Sequence, residues 1–172
     1  MKILSIDAET DGLWGNIFSI AGIVYNEKGE EIDKILLRLP NKVVKNEWVK
    51  ENVLPELDKV THSEYEKMMV DFANFYMKYK DEATVLWHMG HIVESHLFRE
   101  LHRLELIGDW DAPYTPIEVS ETLRIAGEKV DSVDDYAEKY SLEISDYGST
   151  HNPLYDCEVA FKVWRHLEEN RK

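Results

Sequence analysis

The spacing of apolar residues switches repeatedly between strand and helix periods. Residues 2–8 form an apolar run that reads as a first strand. Gly12 to Gly15 make a loop, and Ile17 to Tyr25 read as a second strand. Asn26-Glu27-Lys28-Gly29 is a hairpin turn into a third strand through Ile32, Asp33, Lys34, Ile35, Leu36 and Leu37. Trp48, Val49, Val53, Leu54 and Leu57 mark a short helix. Tyr65, Met68, Met69, Phe72, Phe75, Tyr76 and Tyr79 recur at helical spacing, and this stripe is read as core. Ala83 to His88 reads as a fourth strand. Val93, Leu97, Phe98, Leu101 and Leu104 mark another helix, and Tyr114 to Val119 a fifth strand. Ser132 has the chemistry of an N-cap for a short helix through Tyr136 and Ala137. Asn152 caps a last helix with Pro153 at its first position. Ala160, Val163, Trp164 and Leu167 then form its inward stripe.

This order predicts an α/β fold. Three antiparallel strands form a meander, two further strands run parallel, and helices cover both faces of the mixed sheet. No repeat, low-complexity tract or linker interrupts residues 1–172, so one domain is expected.

Bulk properties narrow the functional classes. The 172 residues are 44% hydrophobic and include five Trp, nine Tyr and five Phe, a globular composition. No apolar run reaches the length of a membrane span and no secretory pattern opens the chain, so a cytoplasmic location is expected. The single Cys157 excludes an internal disulfide. The net charge of −14 argues against extended duplex binding through a basic surface. It leaves room for an enzyme that grips a few nucleotides through metal ions.

The candidate chemistry is acidic. Asp7 and Glu9 end the first apolar run two residues apart, so a strand presents both on one face. Two like charges there are costly unless a hard divalent cation neutralises them. Glu94 shares a helical face with Leu97, Phe98 and Leu101, and Asp156 with Ala160, Val163 and Leu167. Acids at the head of apolar stripes are out of place unless paired or bound to metal. A helix dipole accounts for an acid in the first turn, at ~0.3–1 kcal/mol, but not for an inward face. If the first and fourth strands are parallel neighbours, Asp7, Glu9 and Glu94 meet at one sheet end, and Asp156 completes the cluster. Two magnesium ions would balance four such carboxylates and suit phosphoryl transfer. His151, five residues before Asp156, is placed to act as a general base.

Taken together these residues resemble the DEDDh branch of the 3′-to-5′ exonucleases. Asp7-Ala8-Glu9-Thr10-Asp11-Gly12-Leu13 looks like the family's first motif, and His151-Asn152-Pro153-Leu154-Tyr155-Asp156 like its third. The second motif departs: Gly90-His91-Ile92-Val93-Glu94 puts Glu where the family has Asp, one methylene longer, with His88 and His91 as reserve candidates. Glu47 to Pro55 also looks like a small subgroup of ribonuclease T-like exoribonucleases.

The resemblance implies a ribonuclease H-like fold. It implies two Mg2+ ions, or Mn2+, on Asp7, Glu9, Glu94 and Asp156, with His151 taking a proton from the attacking water. It places Thr10, Gly12, Leu13 and Trp14 against the terminal nucleotide, and it implies a homodimer. The expected activity is removal of nucleoside monophosphates from single-stranded or overhanging 3′ ends, RNA favoured over DNA. Two alternatives stand beside it. One is a protein-binding module whose metal site has decayed at Glu94. The other is a phosphodiesterase for dinucleotides and very short oligonucleotides.

Overall fold

A computed structural model describes residues 1–145 and 147–171. Its centre is a five-stranded mixed sheet in the order β3-β2-β1-β4-β5. The strands are β1 (Lys2–Thr10), β2 (Ile17–Tyr25), β3 (Glu31–Arg38), β4 (Ala83–Trp87) and β5 (Ile117–Glu118). β1-β2-β3 is an antiparallel meander, and β4 runs parallel to both β1 and β5. The meander turns at Asn26, whose side-chain oxygen accepts the N–H groups of Lys28 and Glu30, with Gly29 at φ +81°.

Helices α1 (Glu47–Asn52), α2 (Tyr65–Tyr79), α3 (Val93–Arg103), α4 (Val119–Ile125), α5 (Val133–Lys139) and α6 (Pro153–Glu169) flank the sheet. Two apolar cores result. One holds Leu4, Ile6 and Ala8 against Met69 and Phe72 of α2 and Leu97 and Leu101 of α3. The other holds Ile3, Ala21 and Ile23 against Val119, Tyr136, Ala160 and Val163 of the later helices. Each aliphatic side chain fully buried this way contributes about 1.5–3 kcal/mol. Tyr25 and Phe161 stack with ring centroids 3.6 Å apart, fixing α6 on β2.

Most elements fall where the pattern places them, and the caps are as read. Ser132 accepts the Asp135 N–H, and Asn152 accepts the Leu154 N–H ahead of Pro153. Three points differ. The fifth strand, expected over Tyr114 to Val119, is only Ile117–Glu118, because Val119 already begins α4. α4 itself was not foreseen, since seven residues hold too few periods to show a stripe. The short helix after β3 is split. α1 ends at Asn52, and Leu54–Glu56 with Pro55 forms a separate 3-10 turn, the proline lacking the N–H that would continue a helix. Trp48, part of that apolar pattern, is 57% exposed rather than inward. Among the described residues no helix is long and apolar enough to cross a membrane.

Candidate active site

Alternation along β1 decides the site. Leu4, Ile6 and Ala8 go to the α2–α3 core, so Ser5, Asp7 and Glu9 take the other face, under α6. Ser5 Oγ donates to the Cys157 carbonyl at 2.7 Å, which ties the N-terminal part of α6 to the strand. A β-bulge between Glu9 and Thr10 then shifts the register at the end of the pair with β2. Such bulges re-aim side chains at strand ends.

Asp7, Glu9 and Asp156 each present a carboxylate oxygen, and the three oxygens lie within 4.8 Å of one another. Asp7 Oδ2 is buried and has no hydrogen-bond partner. Glu94 is 3% exposed and lies outside this tight trio. Its Oε1 accepts the Ala8 N–H at 3.1 Å, between the two strand acids.

Electrostatics tie the four together. Burial raises Asp7 well above the ordinary carboxylate range, and the charges of Asp156, Glu94 and Glu9 raise it further. Burial likewise lifts Glu9, helped by Asp156 and Glu94. Burial pushes Glu94 up to about 8 against two backbone hydrogen bonds. Asp156 rises to about 8, from burial first and Asp134 second. Such clusters are costly to ionise without a counter-charge. A buried carboxylate oxygen without a donor, inside a set of hard oxygen ligands, fits a divalent cation of the magnesium or manganese type. Asp7, Glu9 and Asp156 are the residues that fit it best.

His151 stands at the rim. Its Nδ1 is 3.9 Å from Glu9 Oε1, and its side chain is 39% exposed. Its backbone is left-handed, φ +74°, and its N–H donates to Asp156 Oδ2 at 2.9 Å. That bond orients the acid while the turn holds the imidazole beside it. A non-glycine residue in this conformation is strained by about 1–3 kcal/mol, which the surrounding contacts must offset.

The neighbouring loop carries Thr10, buried, then Gly12, Leu13 at 55% exposure and Trp14 at 75%. Gly12 has φ +76°, and a Cβ there would lie 2.8 Å from the Asn46 amide nitrogen, so backbone geometry alone requires glycine. The reserve histidines are placed elsewhere. His88 Nε2 pairs with the Val130 carbonyl at 2.9 Å, His91 is exposed, and neither joins the trio.

Several shaping residues escaped sequence reasoning. Asp11 Oδ1 accepts the N–H groups of Lys45 at 2.9 Å and Asn46 at 2.7 Å, stitching the β1–β2 loop to the start of α1. That fixes Trp48, whose indole meets the His151 ring edge-on at 5.6 Å. Glu118 accepts from Met89 N at 2.7 Å and Gly90 N at 3.1 Å, pinning the loop that launches α3 and Glu94. Asp134 holds the Tyr155 hydroxyl at 2.7 Å and raises Asp156 by its charge. Asp11 was the one with a visible signal, since it sits inside the first motif.

A search of solved structures finds a close architectural match. The nuclease domain of 3'hExo, a DEDDh family member, solved bound to rAMP, aligns over 98% of this chain and 92% of its own with a TM-score of 0.68. The chain shares the fold of that nuclease domain. Sequence identity is 14%, so the likeness is one of fold. No protein-family model matches the sequence, and no curated protein matches it. Within this fold, the acidic trio sits at the end of β1 where α6 crosses it.

Proposed function

We propose that this chain is a metal-dependent 3′-to-5′ exonuclease. It removes nucleoside monophosphates from single-stranded or overhanging 3′ ends, RNA in preference to DNA, as a single domain over residues 1–172. The observation that carries the reading is the meeting of Asp7, Glu9 and Asp156 within 4.8 Å, with Asp7 Oδ2 buried and unpartnered. Two Mg2+ ions, or Mn2+, held there and by Glu94 would supply water activation and charge stabilisation at the leaving 3′ oxygen.

The chain's own residues do the rest. His151, beside Glu9 and partly open to solvent, accepts the proton of the attacking water. Thr10, Gly12, Leu13 and Trp14 receive the terminal nucleotide, and each base stacked on an aromatic face gains about 1–3 kcal/mol. A homodimer in the cytoplasm completes the reading.

The test is digestion of a short oligonucleotide with a free 3′ hydroxyl. Magnesium should support stepwise release of monophosphates and EDTA should abolish it. Hydrolysis that persists in EDTA sinks the metal mechanism.

One observation favours a second reading, a protein-binding module with a decayed metal site. Glu94 lies outside the tight trio and commits one oxygen to Ala8 N–H. Failure to bind more than one Mn2+ ion, with no hydrolysis, would select that reading. The acidic surface also suits a phosphodiesterase for dinucleotides, since a net charge of −14 repels long polyanions. Comparing dinucleotides with longer strands separates the two.

A further inference from the structure

Acids outnumber bases 34 to 20, and most Lys and Arg side chains are held by a carboxylate. Among the described residues the exposed Lys28, Lys42, Lys45, Lys59 and Arg99, and the buried Arg38, have no acidic partner. Two of the exposed ones, Lys42 and Lys45, fall in one stretch. Arg38 to Asn46 carries three basic residues and no acid. Arg38 is spent on the carbonyls of Leu57 and Asp58, which leaves Lys42 and Lys45 exposed and uncommitted.

Their position matters more than their number. β3 ends at Arg38, which pairs with Ser19, and Ser19 pairs with Glu9, so this stretch leaves the sheet at the end that holds the acids. Asp11 then binds the backbone N–H of Lys45 itself, so Lys45 is fixed beside the loop that carries Leu13 and Trp14. Trp14 at 75%, Val43 at 36% and Trp48 at 57% exposure give the same rim its apolar surface. Free cations interleaved with exposed aromatic and apolar side chains are the chemistry of a single-strand track. The cations follow phosphates, and the rings take bases.

We propose that Lys42 and Lys45 form a phosphate track for the strand upstream of the reacting bond, so that the substrate is an oligonucleotide longer than two residues. This rests on the exonuclease reading and names the length of its substrate. Against a net charge of −14, two exposed lysines in no ion pair are the positive groups that this edge offers to a phosphate.

The experiment measures binding of a fluorescent single strand of about ten nucleotides by anisotropy in calcium chloride, across a salt series. Each phosphate neutralised on a single strand contributes about 0.7 to the slope of log affinity against log salt. The K42A/K45A double variant should therefore lose about 1.4 of that slope and bind about tenfold or more weakly at low salt. A competing dinucleotide has a single internal phosphate and can engage at most one of the two lysines, so it should lose at most about half as much slope, about 0.7. Lys28→Ala is the control. Lys28 lies in the β2–β3 turn, three residues after Tyr25, which pairs with Ile3 at the far end of the sheet. It should change neither ligand.

An unchanged slope in the double variant overturns the track, as does an equal effect from Lys28→Ala or no binding by the parent chain. Hydrolysis is scored separately in magnesium. A parent that binds with the expected lysine dependence yet cuts nothing would retire the exonuclease reading and leave the track standing.

Discussion

Glu94→Gln removes one buried acid from the cluster and with it the charge that adds to burial in raising Asp7, Glu9 and Asp156. Glu94 is 3% exposed, and burial moves its pKa from the ordinary 4.5 up to about 8. Between those values the folded chain holds one more proton at this position than the unfolded chain. Stability therefore falls as pH rises through that window, by about 1.4 kcal/mol per pH unit. From about pH 5 to about pH 7 the loss from this group is on the order of 2–3 kcal/mol. Gln keeps the oxygen that accepts Ala8 N–H at 3.1 Å and carries no titrating proton. In EDTA the variant should lose less than the parent over the same window, by on the order of 2–3 kcal/mol. Urea unfolding at three pH values, with linear extrapolation, reads the difference directly. Equal pH slopes in the two proteins would refute the reasoning, because they would mean that Glu94 ionises in the folded chain as readily as in the unfolded one. Magnesium supplies a second reading of the same site. It should restore stability to the parent near neutral pH and restore less to the variant.

Three further outcomes follow from the same geometry. His151→Ala should lower turnover by about 10²–10⁴-fold, the usual worth of a positioned general base, while metal-induced thermal stabilisation is retained. Normal turnover in that variant would remove His151 from the mechanism. Manganese at about one hundred times its dissociation constant should stabilise the parent by about 2.7 kcal/mol, and Asp7→Asn should forfeit most of that gain in a calorimetric melt. Asp11→Ala frees the Lys45 and Asn46 N–H groups. It should cost about 1–3 kcal/mol in unfolding experiments and raise KM more than it lowers kcat, since it loosens the rim and leaves the acids in place. A kcat collapse without a KM change would place Asp11 in the chemistry instead.

Local pattern was enough for the fold's outline. Apolar runs bounded by turns located β1 to β4, and period-3.6 stripes located α2, α3 and α6, because each of these elements buries enough apolar surface to mark the sequence. The same logic exposed Glu94 and Asp156 as acids on apolar faces, and strand alternation placed Asp7 and Glu9 together. It failed where elements are too short to show a period, as in α4 and the two-residue β5.

What the chain could not disclose by itself was distance. Asp7 and Asp156 are brought within 4.8 Å only because Ser5 bonds across to Cys157 and Tyr25 stacks on Phe161, contacts between residues more than a hundred positions apart. Glu94 shows the same limit from the other side. Its inward face was legible, but its bond to Ala8 N–H and its place outside the tight trio depend on how the loop after β4 is pinned by Glu118. Side-chain type and periodicity are properties of neighbours along the backbone. Which carboxylates share a site, and which lysines are left without a partner, follow from packing among distant segments, and only the folded chain decides them.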